Sequence, residues 1–242
     1  MSELLPLFLN LTGRAVVLVG GGPVATAKLR QLLAAGARVS IVAPDVTTEI
    51  EAIAARGVQD GDREAESPAA YVDVVLARRP FEPADLDAAW LVVAAATPDV
   101  NRHVAAIAET RRIFVNAVDD PANATAFLSG VVRRDGVTIA ISTSGAAPAL
   151  AALLREGLDA LLPRDLATWM WQARAARAAW RREGVPMAMR KPRLLQALNA
   201  LYDQTAASAE DAGTPSVPVS VIAAIEKGPR VPWLNGPEDS WL

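Results

Sequence analysis

The stretch that decides the fold is Arg14–Asp45, RAVVLVGGGPVATAKLRQLLAAGARVSIVAPD. Ala15-Val16-Val17-Leu18-Val19 is an unbroken apolar run rich in β-branched residues, as expected of a parallel strand buried on both faces. Gly20-Gly21-Gly22 ends it. From Val24 to Ala35 the apolar residues Val24, Ala25, Leu29, Leu32 and Leu33 recur at helical spacing. Lys28 and Arg30 fall between them, and Gly36 stands where a helix C-terminus favours glycine. Val39-Ser40-Ile41-Val42-Ala43 reads as a second strand, stopped by Pro44. Strand, helix and strand within about 30 residues make a right-handed βαβ unit.

Outward from this unit the alternation continues. Tyr71–Leu76 is expected as a strand, Pro83–Ala89 as a short helix, Trp90–Ala96 as a buried strand, Val100–Arg111 as a helix and Ile113–Val118 as a strand. Such alternation predicts the α/β class with a doubly wound parallel sheet. Past Asp119 the texture changes. Asp119-Asp120-Pro121-Ala122-Asn123 is rich in turn formers, and Ala126–Arg133 and Gly136–Thr143 read as two strands joined by a hairpin at Arg134-Asp135-Gly136. Ser144-Gly145-Ala146-Ala147-Pro148 opens a helix expected to reach about Leu162. Leu166–Arg182 and Arg193–Tyr202 follow as helices, with Pro163, Gly184, Pro186 and Pro192 as breakers. From Thr205 onward Ala, Ser, Gly, Pro and acids dominate, which reads as a flexible extension with Val217–Ile225, Trp233 and Trp241 as candidate docking points.

Composition narrows the chemistry. With 52% apolar and 21% charged residues over 242 positions, disorder is excluded as the main state. The longest apolar runs stop well short of the roughly 18 residues of a membrane span, so no membrane partner is expected. Met1-Ser2-Glu3-Leu4 carries an acid where a secretory signal would carry positive charge. The chain has no cysteine, which removes disulfides, thiolate metal sites and Cys nucleophiles and fits a cytoplasmic protein. A single histidine, His103, excludes chemistry that needs two imidazoles. Carboxylates are left for acid/base work. The net charge of −3 divides unevenly: six acids against Lys227 and Arg230 from Asp203 onward, against an excess of +6 within Arg164–Arg193.

Gly20-x-Gly22-x-x-Ala25 is the first chemical motif. The first glycine permits a tight turn off the strand, the second lets backbone approach a pyrophosphate, and the small third residue lets helix and strand pack closely. The helix N-terminus then faces the phosphates. Within a βαβ unit this predicts a Rossmann-type dinucleotide site. Asp45 lies 23 residues after Gly22, where an acid accepts hydrogen bonds from the adenosine ribose and favours NAD over NADP; an ordinary acid at a strand exit is the alternative. Ala95-Ala96-Thr97 ends the fourth strand at the same edge and lines the nicotinamide side.

In succession, Leu5-Pro6-Leu7-Phe8, Val19-Gly20-Gly21-Gly22-Pro23-Val24-Ala25, Gly36-Ala37-Arg38-Val39, Val42-Ala43-Pro44, Ala95-Ala96-Thr97, Asn116-Ala117-Val118-Asp119 and Ile139–Thr143 through Pro148-Ala149-Leu150 resemble the precorrin-2 dehydrogenase / sirohydrochlorin ferrochelatase family. That family is the N-terminal module of multifunctional siroheme synthase. The resemblance covers roughly Leu5–Leu162 and fades beyond Pro163. It implies NAD-dependent oxidation of precorrin-2 to sirohydrochlorin, with Fe²⁺ insertion to give siroheme as a second step. A homodimer and a tetrapyrrole cleft are also implied. The family's nucleotide contacts map to Pro23, Val24, Pro44 and Asp45, which join Gly20, Gly22, Ala25 and Thr97 of the motif and strand-end reading as the expected cofactor-binding residues. The family's functional aspartate, following Asn-x-Val, falls at Asp119, where it would also hold Fe²⁺ transiently. The length given leaves no room for the methyltransferase half of those synthases.

The residues bear on this independently. Dehydrogenating a reduced tetrapyrrole removes a hydride, which nicotinamide accepts, and a proton, which needs a base; Asp119 ends the fifth strand at the edge where that base belongs. An Asx-type turn made by Asp119 and Asp120 before Pro121 is the alternative. Ser142, Thr143, Ser144 and Gly145 offer hydroxyls and N–H groups to substrate carboxylates, and also suit an N-cap. Arg155, Lys28, Arg133, Arg134 and the Arg164–Arg193 block are candidate cations for a polycarboxylate substrate. That block with Trp169, Trp171 and Trp180 also admits nucleic acid, but 169 and 180 share a helix face, the pattern of a core, and no nucleic acid is expected. His103 matches no catalytic position. Ala146-Ala147 departs from the polar residue and serine that the family carries before the proline, as does Ser129-Gly130 from its proline-containing turn.

The expected organisation is therefore a nucleotide-binding domain over 1–118, a dimerisation segment over 119–147, a helical module over 148–204 and an acidic tail over 205–242. A dehydrogenase lacking chelatase activity and a non-catalytic NAD(H)-sensing module are the alternatives.

Overall fold

The computed structural model describes residues 4–59, 74–128 and 130–211. Five parallel strands, β1 (Ala15–Val19), β2 (Arg38–Val42), β3 (Val74–Ala77), β4 (Leu91–Ala94) and β5 (Phe114–Ala117), form one sheet in the order β3-β2-β1-β4-β5. Val19 pairs with Val42 on one side and Ala94 on the other, and Ala94 pairs with Ala117. The carboxyl ends of β2, β1, β4 and β5 thus finish level, and the expected doubly wound sheet is present.

Two apolar layers cover the sheet. Val16 and Leu18 of β1 pack with Leu29 and Leu32 of α1 (Pro23–Ala34) and Ile50 and Ala54 of α2 (Thr48–Gln59). Val17 and Val19 face the other way, toward Leu86 and toward Val104, Ala105 and Ala108 of α3 (Pro98–Thr110). Alternate residues of one strand therefore feed opposite layers, which is why its sequence is apolar throughout.

Several expectations are corrected. Helix α2 is absent from the elements expected above, although Ile50, Ile53 and Ala54 follow helical spacing behind an acidic first turn. Strand β3 begins at Val74; Tyr71–Asp73 lie outside the described residues. Pro83–Ala89 shortens to a 3-10 turn at Pro83–Leu86, closed by reciprocal capping between Glu82 and Asp85. The first strand of the hairpin begins at Gly130, not Ala126: Ala126 instead donates its N–H to Val115 and packs with Leu128 on the sheet. That strand, β6 (Gly130–Arg134), pairs with β7 (Val137–Ile141) in a two-stranded sheet. Helix α4 (Pro148–Leu161) starts four residues later than expected, because Ser144 and Gly145 hold φ of 55° and 77°, which a right-handed helix cannot contain.

Among the described residues, those up to Arg133 together with Thr138–Leu161 form one compact unit, and Arg134–Val137 with those from Leu162 to Asp211 form a second. In the second, α5 (Leu166–Arg182) packs on α6 (Met187–Asp211). Pro192 does not break α6. It lies in the second turn, where its missing N–H costs a single backbone hydrogen bond, and the helix continues to Asp211, into the stretch expected as tail. Residues 212–242, with the candidate docking points, lie outside the described residues. Arg164, Arg174, Arg177, Arg181, Arg182, Lys191 and Arg193 are exposed, Trp169 and Trp180 half-buried.

Candidate active site

Glycine makes the turn after β1 possible. Gly20 has φ of 122°, and a Cβ on it would stand 2.2 Å from the carbonyl oxygen of Ala95. A Cβ on Gly21 would stand 1.9 Å from the carbonyl oxygen of Asp45. The two glycines therefore seat the turn against the exits of both flanking strands. Gly21, not among the residues expected to matter, makes the tighter approach; the signal was the third consecutive glycine. The Gly21 carbonyl accepts from the N–H of Thr47 at 2.9 Å. The Thr26 hydroxyl, buried, is bonded to the Gly22 carbonyl at 3.0 Å and to the Thr47 hydroxyl at 2.8 Å. Thr47 Oγ1 in turn accepts from the N–H of Ile50, so the starts of α1 and α2 are fastened together.

Gly22 differs from its neighbours. It is the N-cap of α1, with extended backbone, and nothing lies within 4 Å of the Cβ it lacks. Pro23 at the first helical position has no N–H, and Gly22 supplies no capping side chain. The N–H of Val24 is thereby left for water or an anion. Open space over Gly22, the helix N-terminus behind it and exposed Asp45, whose backbone carbonyl stands beside Gly21, fit a dinucleotide. Pro44, Val24 and Thr97 are exposed along the same edge, whereas Ala25 is buried under it, as its packing role requires.

The other half of the site follows β4 and β5. Asn101, 3% exposed on α3, accepts the Ala96 N–H on Oδ1 at 3.0 Å and donates Nδ2 to the Val118 carbonyl at 3.4 Å. One side chain thus ties the β4 exit to the residue preceding Asp119. Asp119 is exposed with φ of 57°, a conformation that Asp tolerates better than most residues. The next residue is engaged by a neighbouring side chain: Asp120 precedes a 3-10 turn at Pro121–Asn123, and its Oδ2 accepts from Asn123 Nδ2 at 2.7 Å. The two aspartates are thereby told apart. Asn116 on β5 is buried, with Nδ2 on the Ala126 carbonyl at 2.9 Å and its Oδ1 without a partner.

Lys28 meets the segment after β5 farther along, at Leu128. Lys28 of α1 is partly buried; loss of hydration pushes its ammonium below the usual lysine range, and the Asp119 charge opposes that shift. Its Nζ donates to the Leu128 carbonyl at 3.4 Å.

Ser142–Gly145 reach the same place. A Cβ on Gly145 would stand 2.7 Å from Cγ of Pro121, so this turn lies directly against the one that begins at Asp119. Thr143 Oγ1 accepts from the Ala147 N–H at 3.2 Å and Ser142 Oγ from the Ser144 N–H at 3.1 Å, so both hydroxyls are engaged in shaping the turn. Arg155 has another neighbourhood: it pairs with Glu156 at 3.0 Å, and its Cβ lies beside Gly130. His103 is exposed and packs its ring on Phe81. Among the described residues no three His, Asp or Glu side chains gather to hold a metal ion, and no helix is long and apolar enough to cross a membrane.

Residues 7–130, just over half of the chain, match the family described as putative NAD(P)-binding, and residues 134–161 match the sirohaem biosynthesis protein central region. The chain belongs to the NAD(P)-binding family of the siroheme synthase N-terminal module. It is 42% identical over 165 residues to siroheme synthase 1 of Aeromonas salmonicida, covering 68% of this chain and 32% of that protein. Siroheme synthase of Salmonella arizonae is 36% identical over 188 residues, 77% of this chain and 38% of that protein. The chain therefore spans about a third of the length of the curated relatives it matches. The solved structure of SirC, precorrin-2 dehydrogenase, shares the fold, with a TM-score of 0.60 at 22% identity over 93% of this chain and all of that one.

Proposed function

We propose that this chain oxidises precorrin-2 to sirohydrochlorin with NAD as the acceptor, Asp119 serving as the base. The observation that carries the reading is the junction of three turns at one sheet edge. Gly20 touches the β4 exit at Ala95, Asn101 ties that exit to Val118, and Gly145 lies on Pro121. Neighbouring parallel strands stand about 4.8 Å apart, so the glycine turn on β1 and the carboxylate after β5 are about 10 Å apart across the sheet. An extended dinucleotide spans such a distance. Family membership and the names of the relatives support the same substrate class.

NAD, when bound, supplies the hydride acceptor. The chain supplies the rest: open backbone at Gly22 with the α1 N-terminus for the pyrophosphate, and Asp45 for the ribose. Thr97 and Ala96 line the edge between the two half-sites. Asp119 takes the proton that leaves as the hydride departs, and its exposure gives that proton a path to water. Fe²⁺ is a substrate in the second step we propose, in which the same carboxylate collects pyrrole protons during insertion.

A homodimer belongs to this reading. Leu150, Leu153 and Leu154 of α4 are exposed, an apolar face suited to a second copy. Cytoplasmic location is likewise proposed.

Anaerobic incubation with precorrin-2 and NAD tests the central claim. NADH absorbance and the spectrum of the oxidised macrocycle rise together in the wild type and are lost in Asp119→Ala. Tight NAD binding without turnover would make the chain a sensor; turnover with no metal uptake when Fe²⁺ is added to sirohydrochlorin would leave a dehydrogenase alone.

A further inference from the structure

Two threonines stand at the starts of neighbouring helices, Thr26 in the first turn of α1 and Thr47 just ahead of α2. Each has a local duty. Thr26 Oγ1 bonds the Gly22 carbonyl four residues back at 3.0 Å, and Thr47 Oγ1 accepts the Ile50 N–H at 3.3 Å, capping the start of α2. Neither duty accounts for the 2.8 Å contact between the two hydroxyls.

A threonine hydroxyl has one proton to give. The Thr26 proton goes to the Gly22 carbonyl, which can only accept, so across the pair Thr47 is the donor and Thr26 the acceptor. The protons then run one way, from Ile50 N–H to Thr47, from Thr47 to Thr26, and from Thr26 to the Gly22 carbonyl. Thr26 is 5% exposed, and a hydrogen bond out of bulk water holds its geometry more firmly than one at a hydrated surface.

Thr47 is thereby joined to two successive residues of the glycine turn by different routes. Its N–H donates to the Gly21 carbonyl at 2.9 Å, and its hydroxyl reaches the Gly22 carbonyl through Thr26. A single hydrogen bond is a pivot; a second, to a different residue, takes away the rotation. Two residues before Thr47, the Asp45 backbone is pressed against Gly21, where a Cβ would stand 1.9 Å from the Asp45 carbonyl oxygen. Gly20–Gly22 and Asp45–Thr47 are the segments assigned above to the pyrophosphate and the ribose. A ligand that touches both binds more tightly when their spacing is set in advance, because binding then has no ordering of one against the other to accomplish.

We infer that Thr26 and Thr47 are positioning residues for the nucleotide, their hydroxyl pair setting the spacing between the glycine turn and the β2 exit. Both act through the backbone of Gly22 and of Asp45–Thr47 and not by contact with the ligand. The inference rests on the proposed use of NAD and is independent of the base and of the macrocycle.

The test centres on Thr26→Val, which keeps the shape and removes the hydroxyl. Thr47 still caps α2 in this variant and still donates to Gly21, and the Gly22 carbonyl keeps the Thr26 N–H. Two probes are compared: NAD, which spans both segments, and inorganic pyrophosphate, which meets the glycine turn alone. Thr26→Val is expected to raise Kd for NAD about five- to tenfold by calorimetry, the scale of one hydrogen bond, with Kd for pyrophosphate, followed by phosphorus NMR, within about twofold. KM for NAD is expected to rise in step, with kcat at saturating NAD within about twofold. Thr26→Ser is expected to restore NAD affinity. Thr47→Val weakens NAD as well, and the double variant is expected to fall short of the product of the two losses, since both remove the same bond. If Thr26→Val does not fold, Thr26→Ala carries the same comparison.

Wild-type NAD affinity in a folded Thr26→Val would overturn the inference while leaving the use of NAD intact. Equal weakening of NAD and pyrophosphate would also overturn it, by placing the damage in the phosphate cradle itself, as would losses in the two single variants that multiply in the double. A wild-type chain that does not bind NAD removes the proposed cofactor and the inference with it.

Discussion

Replacing Gly20, Gly21 and Gly22 one at a time with alanine separates what the turn does for the fold from what it does for a ligand. A Cβ on Gly21 has 1.9 Å to the Asp45 carbonyl oxygen against the 3.4 Å of ordinary contact, a deficit of about 1.5 Å that only backbone movement can supply. Overpacking costs typically 1–3 kcal/mol, and a backbone obstacle belongs at the top of that range, about 3 kcal/mol. Gly20→Ala meets a comparable obstacle at Ala95 and adds strain of about 1–3 kcal/mol for its φ. Gly22→Ala meets nothing within 4 Å, at φ of −79°. Its small loss as an N-cap, about 0.5–1 kcal/mol, is offset by a similar gain from a stiffer unfolded chain. In a unit of this size each kcal/mol moves Tm by about 2–4 °C. Gly21→Ala is therefore expected to melt about 6–12 °C early, and Gly22→Ala within about 3 °C of wild type. NAD affinity, measured by calorimetry, is expected to reverse the ranking of Gly22→Ala: its methyl group occupies the space over which the pyrophosphate passes, raising Kd about tenfold or more, or at least about 1.4 kcal/mol. Wild-type NAD affinity in Gly22→Ala would refute the placement of the phosphates, and wild-type Tm in Gly21→Ala would refute the close approach.

Three further outcomes are expected. Asn101→Ala leaves the Ala96 N–H and the Val118 carbonyl without their partner, costing about 2 kcal/mol in urea unfolding and lowering turnover through Asp119. Asp85 is held below its usual 3.8 chiefly by the Arg79 hydrogen bond; its contribution to stability is present above that value and lost as pH falls through the lower native one. The urea midpoints of wild type and Asp85→Asn should accordingly converge in acid and stay apart at neutral pH. Lys28, lowered from 10.5 by burial, binds its proton less tightly folded than unfolded, so wild type should gain stability relative to Lys28→Met as pH climbs from the lowered value toward 10.5.

The parts of this molecule legible in its sequence are those whose causes are local. The run Ala15–Val19, its glycine stop and the spacing of α1 each report on neighbours a few residues away, and β1, α1 and β2 appear where the pattern puts them. Asn101 was not legible: on α3 it reads as part of a polar face, and its second partner, Val118, is 17 residues distant. Lys28 reads as a surface lysine between apolar positions, because its carbonyl partner lies 100 residues along the chain. The meeting of Gly145 with Pro121 is equally non-local. Helix α2 is a different case, since its spacing is present in the sequence and a helix was still not expected there. Asp119 was legible as a candidate; what separated it from Asp120 was the bond between the Asp120 carboxylate and Asn123 in the 3-10 turn.

The left-handed backbone at Asp119 has an evolutionary consequence. The role proposed for that position asks for a carboxylate, while the backbone favours the short polar residues and glycine. Aspartate satisfies both demands, and glutamate only the first. Asparagine and glycine, each one nucleotide from an aspartate codon, suit the backbone and abolish the base. The mutations that the fold accepts most readily at this position are thus the ones that would silence the proposed reaction. A gene duplicate drifting there would retain its structure and its nucleotide site, and become a binding protein in a single step.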